Sequence, residues 1–176
     1  MTDHVHSSKT VPVEQLRAAF AVRAAAYAHV FDVVRESYGE ERAVEVLSEA
    51  TRRMGAENGA KFADLAPDNL VGLKERFLHG MPAAAETFAP EVLQCDRERL
   101  VIKFHGCPLV ETWRAMGRSD EDVALLCKAA AAVDRGLFAA AGFAFEAENW
   151  RPDVDGCLLK ITPGAVGACS QADGGG

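Results

Sequence analysis

The sequence predicts an α+β fold: a helical N-terminal half packed on a small, mainly antiparallel sheet of about four strands with further helices. Three observations carry this. Apolar residues recur at helical spacing from Glu14 to about Leu65. The run Leu100-Val101-Ile102-Lys103-Phe104 reads as a buried strand. Phe143 to Glu148 alternates apolar and polar residues with the period of two that a half-buried strand requires.

The first helix spans Glu14 to Tyr38, with Pro12 just before it, Gly39 after it, and Leu16, Phe20, Ala24, Tyr27, Val30, Phe31 and Val34 as its apolar positions. A second amphipathic segment runs from Glu40 to about Leu65, presenting Val44, Leu47, Ala50 and Met54, with Gly55 or Gly59 as bending points. Pro67 and Asp68 open a shorter helix carrying Leu70, Leu73 and Phe77, which stops near Gly80. From Val92 the pattern alternates, a turn at Asp96 to Glu98 follows, and the strand ending at Phe104 completes a hairpin.

Pro108 starts a short helix, and Ser119-Asp120-Glu121-Asp122 caps a long Ala-rich one reaching about Ala141, where Gly142 ends it. The strand up to Glu148, a turn at Pro152 to Gly156 and a last strand Cys157-Leu158-Leu159-Lys160-Ile161 complete the pattern. Residues 1–12 and 164–176 are expected to be flexible tails around one domain of residues 13–163, because the ends are small, polar or Gly-rich.

With 176 residues the chain suits a single domain with a real core, and 49% hydrophobic against 26% charged residues is globular composition rather than that of a disordered chain. The formal net charge of −7, with Lys and Arg scattered, argues against nucleic acid or an anionic membrane as partner. No apolar run is long enough to span a bilayer and the first ten residues are polar, so a cytoplasmic location is expected. The partner implied is a small molecule, and the amphipathic N-terminal helices offer a surface for a homo-oligomer.

Cysteines 95, 107, 127, 157 and 169 are odd in number and read as reduced thiols, most of them packing residues. The densest chemical constellation is Lys103-Phe104-His105-Gly106-Cys107-Pro108-Leu109-Val110-Glu111. Proline is favoured at the first helical position, which puts Cys107 at the N-cap, where the helix dipole and free N–H groups favour a thiolate. His105, two residues earlier, would share its face and serve as base if the strand continues that far. A hydrogen-bonded structural histidine is the plainer reading.

Asp134 falls on an apolar stripe with Val123, Cys127, Ala130 and Leu137, where a carboxylate needs a partner, whether a core arginine, a histidine or a cationic substrate group. Cys157 follows a turn at the start of the last strand and is placed to face Cys107. Convergence of Cys107, Cys127 and Cys157 would also permit a redox pair or a thiolate metal site with His105, but no Cys-x-x-Cys spacing supports zinc, and no metal or cofactor is assigned. Arg114 and Arg151 are candidates to clamp a substrate carboxylate, Glu111 an acid or base, and Trp113 a pocket wall, each against the plainer reading of a surface or core residue.

Cys107-Pro108 after a strand, Leu126-Cys127 in a following helix and Gly156-Cys157-Leu158-Leu159-Lys160-Ile161 at the end resemble the L-2-amino-thiazoline-4-carboxylic acid hydrolase family. The resemblance extends loosely from Gly39-Glu40-Glu41-Arg42-Ala43 to Ile161. It implies hydrolysis of a C–N bond in a small, carboxylate-bearing cyclic amidine related to cysteine. Cys107 would attack the amidine carbon with His105 as its base, or a carboxylate or histidine would activate water directly. A small-molecule sensor or carrier with structural cysteines is the competing class.

Overall fold

The computed structural model describes residues 11–154 and 156–165. Most of the two expected tails, with Cys169, therefore lies outside the described residues. Helix α1 (Val13–Tyr38) and helix α2 (Glu40–Gly59) form an antiparallel pair about Gly39, and a 3-10 segment (Ala60–Leu65) leads to α3 (Leu70–His79). A one-turn helix α4 (Ala84–Thr87), which the sequence pattern did not suggest, precedes the hairpin of β1 (Pro90–Cys95) and β2 (Leu100–Phe104). Helices α5 (Pro108–Ala115), α6 (Asp120–Ala130) and α7 (Ala132–Ala141) follow, then β3 (Ala144–Glu148) and β4 (Cys157–Thr162).

The four strands form one antiparallel sheet in the order β1-β2-β4-β3, so the last strand enters between β2 and β3. The fold is α+β, as the sequence pattern predicts. Because side chains alternate across a strand, Leu100, Ile102 and Phe104 share the inner face with Leu159 and Ile161, and all five are buried against Phe77 and Phe138. Cys157 has the same parity as Leu159 and Ile161 and pairs in register with Phe104. Gly156, just before it, holds a positive φ of 82°, and a Cβ there would lie 2.0 Å from the Phe104 carbonyl oxygen. Only glycine lets the chain turn against β2 and deliver Cys157 inward.

The second core cluster joins α1, α2, α5 and α6 through Ala24, Phe31, Leu47, Trp113 and Leu126. Helices α2 and α7 touch at backbone distance. A Cβ on Gly55 would meet the Val133 carbonyl at 1.8 Å, and one on Gly136 would meet the Arg52 carbonyl at 2.0 Å. The single long helix expected from Ser119 to Ala141 is instead two, α6 and α7, broken at Ala131. At that break the buried Thr51 hydroxyl donates to the Ala129 carbonyl at 2.6 Å, the kind of side-chain insertion into a helix ladder that interrupts it.

The partly buried carboxylates at the far end of this cluster are paired: Arg35 Nη1 donates to Asp122 at 2.7 Å and Arg118 pairs with Asp32. These tie the end of α1 to the start of α6. Along α1, the surface on which the expected homo-oligomer would rest, Val22, Val30 and Val33 are exposed. No helix among the described residues is long and apolar enough to cross a membrane.

Candidate active site

Between the two core clusters lies a mainly apolar cavity of about 290 Å³, the size of a small-molecule site. Cys107, Cys127, Cys157 and Asp134 all line it, so four residues singled out in the sequence meet there. Helix α1 adds Phe20, Arg23 and Tyr27, and α2 adds Met54. One wall of the cavity is therefore the first helix, brought across because its apolar stripe docks on α2 and α5.

Cys107 is the N-cap of α5 with Pro108 at the first helical position, the local geometry the Cys-Pro dipeptide predicts. The N–H groups of Leu109 and Val110 face its sulfur and favour the anion, as does Arg23, yet burial prevails and pushes the thiol up to about 11. Cys157 is shifted the other way. The Cys127 thiol donates to its sulfur and the Trp150 backbone N–H adds a second hydrogen bond, which together lower its proton affinity against burial and the charge of Asp134. The same hydrogen bond, with burial, raises Cys127. Neighbouring thiols cannot all ionise, and these hydrogen bonds make Cys157 the one of the three that most readily becomes a thiolate.

Asp134 projects from α7 into the cavity, and removal from water pushes its carboxyl up to about 7, with Arg23 pulling in the opposite direction. A carboxyl that changes state near neutrality is suited to proton transfer. Its position depends on the glycine contacts of Gly55 and Gly136, which set the spacing of α7 from α2 on either side of it.

The remaining sequence candidates divide by location. Trp113 is fully buried, lines the cavity and donates its indole N–H to the Ala24 carbonyl at 2.8 Å. His105 lies outside the cavity, with Nε2 2.7 Å from Glu91 Oε2. Strand β2 ends at Phe104, and the N–H groups of His105 and Gly106 then turn to the carbonyls of Ala89 and Phe88. The two-residue alternation that would have put His105 and Cys107 on one face therefore stops one residue too early. The structure does not bring that expected base to the inner side of Cys107.

His105, Glu111 and Arg114 line an outer depression that Cys107 and Cys157 line as well, as they do the inner cavity. Glu111 accepts from Arg17 at 2.6 Å, and the Arg114 guanidinium lies 5.6 Å from the centre of the Trp150 ring. Arg151 stands apart on the surface, 3.9 Å from Asp153. Among the described residues no group of three or more His, Cys, Asp and Glu side chains is arranged to hold a metal ion.

Arg23 and Tyr27 were missed by sequence reasoning, although a signal was present. Arg23 stands three residues after Phe20 and four before Tyr27, a charge inside an apolar helical stripe, which is the same anomaly that marked Asp134.

A family model described as L-2-amino-thiazoline-4-carboxylic acid hydrolase matches residues 19–150, well over half of the chain. The match takes in Arg23, Cys107, Cys127 and Asp134 and ends before Cys157. No curated protein and no solved structure gives a significant match.

Proposed function

The chain belongs to the L-2-amino-thiazoline-4-carboxylic acid hydrolase family, and from that premise we propose that it opens such a thiazoline ring by cysteine-dependent hydrolysis of a C–N bond. The observation that carries the reading is the meeting of Cys107, Cys157 and Asp134 in one small apolar cavity. Each supplies something the reaction needs.

The thiolate is assigned to Cys157, whose sulfur receives the hydrogen bonds of Cys127 and Trp150. Its attack forms a C–S bond to the amidine carbon, and the C=N electron pair moves onto the ring nitrogen. Asp134, holding its proton near neutrality, gives it to that nitrogen; as the C–N bond breaks, the exocyclic nitrogen's lone pair forms a C=N bond and one of its protons passes to the departing nitrogen, which leaves as an amine. Water then adds to the same carbon, Asp134 takes one of its protons and the exocyclic nitrogen the other, and a C=O bond forms as the Cys157 thiolate departs, so one water is consumed and the enzyme is restored.

In this scheme Cys107 is a neutral thiol at the helix N-terminus, able to donate a hydrogen bond to the reacting centre. The alternative from the sequence makes Cys107 the nucleophile. His105 and Glu111 would then act only through the outer depression, which Cys107 and Cys157 also line. Arg114 would serve there as a cationic rim.

The test is incubation with L-2-amino-thiazoline-4-carboxylate at neutral pH, read by mass spectrometry for a product heavier by one water. C157S and D134N should abolish turnover, while C107S should retain part of it. If C107S is dead and C157S active, the nucleophile is Cys107. The binding-domain reading is favoured by the raised thiol of Cys107; saturable binding of the thiazoline without turnover would establish it and remove the hydrolase.

A further inference from the structure

Arg23 lines the cavity half-buried, without the partners an arginine so placed ordinarily has. Its Nε is shielded from solvent and has no hydrogen-bond partner, and no ion pair among the described residues includes it. What flanks it is aromatic: the guanidinium carbon lies 5.1 Å from the centre of the Phe20 ring and 5.8 Å from that of Tyr27. These rings hold the fork flat by cation–π attraction but satisfy none of its N–H donors in the plane of the guanidinium.

An unsatisfied buried donor is costly, and one carried by a charged group more so. The cost makes sense where a ligand supplies the missing acceptor. The cavity's remaining ionisable groups are the three thiols, Tyr27 and Asp134, and the last is itself uncharged up to about pH 7. The mainly apolar cavity therefore presents a cation on α1 and a proton-transfer group on α7. That arrangement suits a small anion with a polar, nitrogen-bearing head.

We propose that Arg23 is the anchor for the substrate's carboxylate, gripping it with its planar fork and so determining that the cavity accepts small carboxylates and rejects their uncharged counterparts. The proposal rests on the hydrolase reading only for the identity of the reacting end. A guanidinium matches a carboxylate through two parallel hydrogen bonds, which an ammonium cannot reproduce. Arg23 is held in place from behind, because the neighbouring Ala24 carbonyl is pinned by the Trp113 indole. Neither Arg114 nor Arg151, the arginines the sequence suggested for this task, lines the cavity.

Two pairs of compounds test it on the full chain. Turnover is compared between L-2-amino-thiazoline-4-carboxylate and 2-amino-2-thiazoline, which lacks the carboxylate. Calorimetric binding is compared between thiazolidine-4-carboxylate and thiazolidine. For Arg23→Met, kcat/KM for the carboxylate substrate should fall roughly 30- to 100-fold, as expected for loss of a charge-assisted pair. The decarboxylated compound should change by no more than about threefold, leaving Arg23→Met without preference.

Arg23→Lys keeps the charge and the fold, checked by its denaturation midpoint, and should lose part of the carboxylate preference through KM rather than kcat. Equal losses on both compounds, or unchanged binding of thiazolidine-4-carboxylate in either variant, would overturn the proposal. If the wild type hydrolyses neither thiazoline yet binds thiazolidine-4-carboxylate in an Arg23-dependent way, the hydrolase reading fails and the anchor stands.

Discussion

The indole N–H of Trp113 reaches across from α5 to the carbonyl of Ala24 on α1, 2.8 Å away, in the middle of the buried core. One end of this link is the helix capped by Cys107, and the other is the residue next to Arg23. The hydrogen bond therefore sets the spacing between a thiol and the cation across the cavity from it.

Trp113→Phe should remove that bond while leaving most of the apolar volume. A destabilisation of about 1–3 kcal/mol is expected from the lost bond and smaller ring, read by urea denaturation. KM for a carboxylate substrate should rise more than kcat falls. A variant as stable as the wild type with unchanged KM would show that the link does not position Arg23.

Gly136→Ala places a methyl group where the Arg52 carbonyl now sits, and neither backbone can move without separating α2 from α7. We expect a loss of at least about 2 kcal/mol in stability, from overpacking at a rigid contact. Activity per folded molecule should also fall, because Asp134 rides on the same helix. Full stability in the variant would contradict the close approach.

The Asp134 carboxyl gives stability a defined pH dependence. It keeps its proton up to about 7 in the folded protein, whereas its ordinary value is 3.8. Between these values the folded state binds more protons than the unfolded one, so this residue's contribution falls as pH rises and is fully lost above the higher value. D134N should remove that downward slope, and the difference between the wild-type and D134N stability curves isolates it. Parallel curves would refute the raised value. Arg23 and Cys157, the ionisable neighbours that interact with it, are unchanged by the substitution.

Alkylation should distinguish the thiols. Cys157 is expected to react with iodoacetamide at neutral pH, Cys107 only as the pH approaches its value of about 11, and Cys127 least of all. Peptide mass spectrometry over time gives the three rates. Thiazolidine-4-carboxylate should slow the reaction at Cys157. Fast labelling of Cys107 at neutral pH, with Cys157 inert, would reverse the assignment of the thiolate.

Much of this architecture was legible in the chain because it follows from short-range rules. A period of 3.6 marked the helices, a period of two marked the strands, and Pro108 fixed the N-cap at Cys107. Asp134 stood out as a carboxylate on an apolar stripe, and the parity of Cys157 with Leu159 and Ile161 already implied a common face. The break at Ala131 was not legible, since it coincides with a hydroxyl on α2 that no local pattern connects to Ala129.

Apart from the one-turn α4 and the break between α6 and α7, the sequence by itself therefore determined the elements, their order, and which residue types could do chemistry. Tertiary structure decided which of them meet. It brought Arg23 of the first helix into the cavity that holds Cys107, Cys127, Asp134 and Cys157 of the second half, and it left His105 outside with Glu91. It also separated three chemically identical thiols, raising Cys107 by burial and lowering Cys157 through a donor on Cys127. The reason is physical: helix and strand periodicities are set by neighbours along the chain, whereas burial, charge and hydrogen-bond partners are set by residues that only folding brings together.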